Sequence, residues 1–354
     1  MIWAILWRRA FPGELVEPLL QHIGIHARCL VVIPLIAMTT YEAWAEVGVD
    51  AQGILFYTDD VGVFSATRRL SRDGDPTQPA IDSRLTDKGS DVVFEPGAGV
   101  RTAFENRWGR TELSLRGQGF IFAENPRFNH GTMNVQALQT FSPETRLRLR
   151  YYYAPNMFLG ENVVRQEESE PLADEVVTSH IWSARVEQRL TKEIDGRILV
   201  RYGIRRYNES FSERDTNFWT IGPHVEWKAT DRIRLGLSYH YERGLADGRT
   251  QPQFKDDVSY INHYVSVDLD VELMERLTLG AAFHYERNIW TSDIVGDERR
   301  GAHEDIYQGE VVLTRKLTDA WNVFVGFQRS NRKQSFESES VKNTNVGIGT
   351  SASF

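Results

Sequence analysis

Two copies of the tetrapeptide HYER place histidine and glutamate side chains where they could do chemistry. The copies are His240-Tyr241-Glu242-Arg243 and His284-Tyr285-Glu286-Arg287. Residues two apart on a β-strand share one face, so each copy offers an imidazole and a carboxylate for metal binding or proton transfer. Alternatively, these side chains line a wet interior and pair with neighbours. No metal-ligand spacing accompanies them, so we expect no metal site, with His240, Glu242, His284 and Glu286 as weak candidates.

Each copy closes a stretch in which apolar and polar residues alternate. The period of two also dominates "RILVRYGIRRY", where one phase is apolar and the other is arginine. The apolar phase is Ile198, Val200, Tyr202 and Ile204, and the charged phase is Arg197, Arg201 and Arg205. Such alternation predicts strands with one apolar face and one charged face.

Short turns and longer polar loops alternate along the chain after residue 46. The predicted strands lie near 46–57, 93–104, 111–122, 132–140, 145–153, 179–190, 196–207, 217–228, 232–243, 259–272, 276–287, 305–316, 321–330 and 343–354. Soluble sandwiches show no strict rhythm of short and long connections, whereas membrane barrels do, and they have an even number of strands. We therefore predict an all-β fold, a transmembrane antiparallel up-and-down β-barrel of about 14 strands.

Composition excludes several other classes of protein. The 354 residues carry a net charge of −8 and a mean hydropathy of −0.41. Beyond the N-terminus no apolar run approaches the roughly 20 residues of a transmembrane helix. The acidic balance argues against a nucleic-acid partner and leaves small charged solutes or divalent cations as candidate ligands.

The N-terminal region resembles a secretory signal peptide. Arg28 precedes a short apolar core from Cys29 to Met38, and Ala43-Trp44-Ala45 gives a small-x-small cleavage pattern. We expect residues 1–45 to be an extended signal region and residues 46–354 to be the barrel. The first 25 or so residues are long for such a region, which suggests that translation starts downstream. The mature chain then carries no cysteine and needs no disulfide.

The last strand carries a more specific resemblance. "NTNVGIGTSASF" alternates and ends on Phe354. In this it resembles Gram-negative outer-membrane β-barrel proteins, among which the chain is porin-like. The resemblance implies localisation in the cell outer membrane, among lipid and lipopolysaccharide, and a terminal Phe354 read by the barrel-assembly machinery. With both termini in the periplasm, the long loops are extracellular, and HYER ends the ninth and eleventh strands at the extracellular rim. Tyr241 and Tyr285 then face the interfacial aromatic girdle.

Phase assignment divides the charged residues of the interior into two arcs. The basic arc, on strands three to seven, comprises Arg116, Arg146, Arg148, Arg150, Arg185, Arg189, Arg197, Arg201 and Arg205. The acidic arc, on strands eight to twelve, comprises Glu226, Glu242, Asp268, Asp270, Glu272, Glu286 and Glu310. Charges facing lipid near the midplane cost several kcal/mol each, so these residues are expected inside.

Two interpretations of this interior remain open. Opposed arcs could order water and orient solutes in an outer-membrane channel for small hydrophilic or charged molecules, or they could interlock and close the lumen. The loops near 58–92 and 154–178 are long enough to fold inward and constrict it. The alternative function is an export, assembly or structural barrel that works with a separate periplasmic partner. No catalytic or cofactor motif occurs in a suitable context, so we expect neither an enzyme nor a cofactor.

Overall fold

The computed structural model describes residues 46–68, 89–166 and 169–354, and for 65–68 it describes the backbone alone. The predicted signal region, residues 1–45, lies outside the described residues. No helix within the described ranges is long and apolar enough to cross a membrane.

The protein forms a closed antiparallel barrel of 14 strands, as predicted. The strands are β1 Glu46–Thr58, β2 Asp91–Asn106, β3 Gly109–Phe122, β4 His130–Thr140, β5 Thr145–Val163, β6 Leu172–Arg189, β7 Ile194–Tyr207, β8 Thr216–Lys228, β9 Ile233–Ala246, β10 Tyr260–Met274, β11 Leu277–Trp290, β12 His303–Lys316, β13 Trp321–Gln334 and β14 Val341–Ser353. Each strand pairs with its neighbours in sequence, and β1 pairs with β14 from Asp50↔Ser353 to Thr58↔Asn345. Phe354 extends this closure, because its backbone and that of Val49 exchange two hydrogen bonds of 2.8 Å.

The alternation seen in the sequence separates the two faces of the wall. On β7 the side chains of Ile198, Val200 and Tyr202 are exposed on the outside, whereas Arg201 and Arg205 are buried inside. The outer face carries an apolar band on nearly every strand, and period two makes the inner face polar. Aromatic side chains accompany this band, with Tyr241 packed on Trp219 and Tyr285 on Tyr307.

The hairpin of β5 and β6 corrects the prediction of a long loop over 154–178. The two strands continue to Val163 and from Leu172, so only residues 164–171 connect them. Bulges interrupt the pairing near Asn156 and Gly160, both of which have positive φ. Asn and Gly tolerate positive φ and are common in loops. Their presence in the sequence therefore led to the prediction of a loop where the structure has a strand with bulges.

The HYER motifs do not end their strands, which corrects a second prediction. β9 continues to Ala246 and β11 to Trp290. Gly244, directly after the first motif, still pairs with the neighbouring strand. Its lack of a side chain leaves room for the Tyr260 ring, since a Cβ at this position would lie 2.2 Å from that ring. The wall therefore rises higher at the long-loop end than the alternating pattern alone indicated.

One short helix, α1 (Val61–Arg68), follows β1 and packs against the inner wall. Val61 and Phe64 are fully buried, and the Phe64 ring contacts the inward-facing rings of Phe56 and Phe122 at 5.7 and 5.8 Å between centroids. The same apolar cluster includes Phe128 and residues of the β5–β6 hairpin. The interior beside β1 to β3 is thus filled by apolar packing at the long-loop end. Charged side chains line the remaining space.

Candidate functional site in the lumen

The predicted basic arc lies on the inner face of β3, β5, β6 and β7. Six of its members line one cavity of about 550 Å³, which we call the lower cavity: Arg116, Arg148, Arg150, Arg185, Arg197 and Arg201. Arg146 and Arg189 lie nearer the short turns, where Arg189 pairs with Asp195 at 3.6 Å. Arg205 lies higher on β7, and its guanidinium donates to the Tyr260 hydroxyl at 2.8 Å.

Fewer of the predicted acidic residues than of the predicted arginines line the lower cavity. Glu242, Glu286 and Glu310 are buried in the wall, and Asp268 alone of the predicted acidic arc lines the lower cavity. Asp270 and Glu272 follow on the same inner face of β10 toward its short-turn end. The two arcs meet where Arg197 binds Glu226 at 2.6 Å and Arg201 approaches Glu242 at 3.8 Å.

Glu187 is the centre of the strongest concentration of positive charge. Its carboxylate lies 2.9 Å from Arg146, 3.4 Å from Arg148 and 3.0 Å from Arg185, and only 5% of the residue is exposed. One carboxylate cannot neutralise three guanidinium groups. Among the residues that the structure describes, this part of the wall therefore carries an excess of positive charge.

A second cavity of about 170 Å³, the upper cavity, lies toward the long loops. Arg201, His240 and Tyr264 line both cavities and so form the boundary between them. The Tyr264 ring lies 5.4 Å from the His240 ring, and its hydroxyl is 2.8 Å from Nδ1 of His284. A solute that moves along the lumen would pass these side chains.

The histidines and glutamates of the two HYER motifs face the interior, and they do not converge on one point. Tyr264 contacts both histidine rings. Glu242 accepts hydrogen bonds from Thr220 at 2.6 Å and from Tyr260 at 2.5 Å. Within the ranges that the structure describes, no three His, Cys, Asp or Glu side chains are grouped to hold a metal ion. The arrangement is that of polar residues in a hydrogen-bonded wall.

Four buried charges tie the long loops together above the upper cavity, and we call them the mouth cluster: Glu175, Arg214, Asp256 and Arg299. Arg214 bridges Glu175 at 2.7 Å and Asp256 at 2.6 Å, while Arg299 binds the other oxygen of Asp256 at 2.6 Å. All four are at most 7% exposed. Two cations and two anions balance one another here, unlike the residues around Glu187.

The mouth cluster shifts the ionisation of two acidic groups in the loops. Burial alone would raise the pKa of Asp256, but the guanidinium groups of Arg214 and Arg299 outweigh it and lower that pKa to about 2. Burial raises the pKa of Glu213 to about 7, and the neighbouring Asp256 carboxylate adds to the increase. A hydrogen bond from Gln166 opposes this shift.

Sequence reasoning missed several residues of the lumen. Arg101 lines the lower cavity from β2, where exposed Val100 marks the outer phase and could have revealed it. Arg214 ends a short 3-10 helix, Glu209–Arg214, and Arg299 lies in the loop between β11 and β12, so neither shows the alternation of a strand. Ser183, a small residue of the lower cavity, lies opposite Arg150 and Arg201, and only strand register shows this position.

Known structures share this fold at low sequence identity. No family model matches the chain, and no curated protein matches it. The outer-membrane channel DcaP of Acinetobacter baumannii is 10% identical, with a TM-score of 0.51 over 88% of this chain and 97% of that one. The anion-selective porin from Comamonas acidovorans is 8% identical, with a TM-score of 0.45 over 88% of this chain and 100% of that one.

OmpT of Vibrio cholerae is 9% identical, with a TM-score of 0.47 over 90% of this chain and 99% of that one. Such likeness concerns the fold alone. The closed ring pairs the backbones of neighbouring strands, as a spanning barrel requires, and the apolar outer face around a charged interior suits lipid outside. The chain has the fold of the porin-like β-barrel proteins of the cell outer membrane.

Proposed function

We propose that this protein is an outer-membrane channel for the passive passage of small hydrophilic solutes, with a preference for anions. The observation that carries the proposal is the lining of the lower cavity. Among the residues that the structure describes, seven arginines face it, namely Arg101, Arg116, Arg148, Arg150, Arg185, Arg197 and Arg201, against three carboxylates, Asp50, Glu112 and Asp268. A wall with excess charge of one sign raises the local concentration of the opposite ion and excludes its own.

The path runs from the upper cavity past Arg201, His240 and Tyr264 into the lower cavity. Arg201 lines both cavities, so it would present positive charge to a solute throughout this step. The bilayer lipid and lipopolysaccharide would surround the apolar outer face, and the barrel-assembly machinery would recognise the last strand with Phe354. Small solutes are the partners that enter the lumen.

The test is conductance of the refolded chain from residue 46 in planar bilayers under a salt gradient. We expect stepwise single-channel currents and a reversal potential whose sign shows that anions permeate better than cations. Arg148→Glu combined with Arg201→Glu should lower the anion-to-cation permeability ratio by about fivefold, the factor that about 1 kcal/mol of electrostatic energy produces.

A matched control changes the same number of charges on the outer wall. Arg206 and Arg243 are exposed on the outer face of β7 and β9. Arg206→Glu combined with Arg243→Glu should leave the reversal potential unchanged. Cation selectivity in the wild type, or equal shifts in both double variants, would refute the proposal.

A second function is favoured by the packed half of the interior. Helix α1 and its aromatic partners fill the space beside β1 to β3, and balanced charges hold the loops above the upper cavity. Both features suit an export, assembly or structural barrel that acts with a separate periplasmic partner. A barrel that is intact by heat-modifiable gel migration but silent in bilayers would select this function.

A further inference from the structure

Two side-chain amides face the upper cavity from neighbouring strands. Asn262 on β10 and Asn288 on β11 lie directly opposite one another, and both line this cavity. Within the ranges that the structure describes, neither amide has a hydrogen-bond partner, and the Oδ1 atom of Asn288 is buried without a donor. Buried polar atoms normally have a partner. The pair therefore offers N–H donors and carbonyl acceptors that a ligand in the cavity can satisfy.

The carboxylates beside this amide pair are already bound by other side chains. They lie opposite the two amides, Glu242 on β9 and Glu304 on β12. Glu242 accepts hydrogen bonds from two hydroxyl groups, at 2.5 and 2.6 Å. Glu304 forms an ion pair with Arg332. Among the described residues of this row across four strands, the hydrogen-bonding side chains that remain open are therefore the neutral ones.

Aromatic side chains flank the amide pair above and below. Tyr260 and Trp290 lie opposite one another, two residues nearer the long loops than the amides, and Tyr264 lies two residues nearer the short turns. All three line the upper cavity. A few polar groups among aromatic side chains are typical of sites for small organic ligands. The wall of the upper cavity thus has the composition of such a site.

We propose that Asn262 and Asn288, with the rings of Tyr260, Tyr264 and Trp290, form a binding site for a sugar ring. Each hydroxyl of a sugar both donates and accepts hydrogen bonds, and a side-chain amide offers the matching combination. Directly opposite residues have Cβ atoms about 5 Å apart, so the two amides can bind different hydroxyls of one ring. The cavity is small, about 170 Å³, so we expect one ring rather than a chain of them.

The inference rests on the proposed channel function and names a class of solute for it. On the path from the long loops, the upper cavity comes before the lower cavity, and Tyr264 lines both. A sugar would bind in the upper cavity through its hydroxyl groups, whatever charge it carries. The upper cavity would then select by hydrogen bonding, and the lower cavity by charge.

The first test measures binding without requiring an open channel. Saturation-transfer difference NMR is recorded for glucose, galactose and mannose, each with the refolded barrel in detergent. We expect a saturable signal from at least one of these sugars. Sodium acetate at equal concentration should not displace the sugar, because the open groups of the site are neutral. No saturable signal from any of the three sugars, or displacement by acetate, overturns the site.

Two double variants locate the site. Asn262→Leu combined with Asn288→Leu removes both amides at similar volume and should raise the half-saturating sugar concentration at least tenfold, since one neutral hydrogen bond contributes about fivefold. The matched control is Asn134→Leu combined with Gln136→Leu, which removes two amides that line the lower cavity from β4. It should bind sugar like the wild type, and heat-modifiable gel migration verifies that both variants fold. Equal sugar affinities of the two double variants would overturn the site.

Conductance separates this inference from the proposed function. The sugar that binds should reduce chloride current through the wild-type channel in a saturable way, and the variant without Asn262 and Asn288 should need at least tenfold more sugar. An anion-selective channel that neither binds nor responds to the three sugars would keep the proposed function and remove this site. A barrel without conductance that still needs the two amides to bind a sugar would keep the site and remove the channel.

Discussion

The lower cavity and the mouth cluster use the same residue types for opposite purposes. In the mouth cluster, Arg214 and Arg299 alternate with Glu175 and Asp256, every charge is buried, and the distances are 2.6 to 2.7 Å. Around Glu187, three arginines share one carboxylate at up to 3.4 Å, and two of them, Arg148 and Arg185, line the lower cavity. A balanced buried network joins loops to one another, while an unbalanced wall must keep water or an anion beside it.

The largest expected effect comes from breaking the balanced side of this comparison. Arg214→Met leaves the buried carboxylates of Glu175 and Asp256 without their shared cation. Removing one partner from a buried ion pair costs about 3–5 kcal/mol. We expect amide hydrogen exchange in loops 208–215 and 247–259 to accelerate by the factor that corresponds to this free energy. The barrel strands should stay protected.

Arg206→Met is the control for this loss. Arg206 pairs with Asp215 at 3.0 Å on the outside, and its side chain is 48% exposed. Exposed pairs contribute about 0–1 kcal/mol, so the exchange rates should change little. If both variants accelerated exchange equally, the mouth cluster would have no special role in holding the loops.

A medium effect is expected on the unbalanced side. Glu187→Gln removes the one carboxylate that three arginines share, so their mutual repulsion increases. We expect a loss of about 1–3 kcal/mol in unfolding free energy by urea titration of the refolded barrel, together with stronger anion selectivity. Glu112→Gln changes a carboxylate that lines the lower cavity and should be nearly neutral in stability. Unchanged stability in Glu187→Gln would mean that solvent already screens the cluster.

The smallest effect concerns how pH acts on the mouth. The raised pKa of Glu213 means that the folded loops hold a proton that the unfolded loops release above about pH 4.5, so loop stability falls as pH rises from there to about 7. Asp256, whose pKa is lowered to about 2, acts in the opposite sense, and its contribution is lost only at strongly acidic pH. Near neutral pH, Glu213 therefore determines how loop stability changes with pH.

Glu213→Gln should remove this slope, because the amide carries no titrating proton. Loop exchange, corrected for intrinsic rates, should be similar in variant and wild type near pH 5 and slower in the variant near pH 8, by on the order of 1 kcal/mol. Glu209→Gln, in the same loop, is the control and should keep the wild-type slope. A pH-independent wild type would contradict the assignment of the proton to Glu213.

The sequence determined the wall of this protein. Period two fixed which side chains of β7 face lipid and which face the lumen, because alternate residues of a strand must point to opposite sides. The count of 14 strands followed from the rhythm of turns, and the inward phase of Arg148 and Arg201 followed from the same alternation. These features are local, so they can be read from a few neighbouring residues.

Only the tertiary structure decided how the interior is divided. The position of Ser183 between Arg150 and Arg201 depends on register across three strands, and the pairing of Arg214 with Asp256 joins residues from separate loops. The bulges that continue β5 beyond Asn156 likewise required the apolar cluster under the long loops. Closing the ring brings distant residues together, and the period of an isolated strand holds no information about that closure.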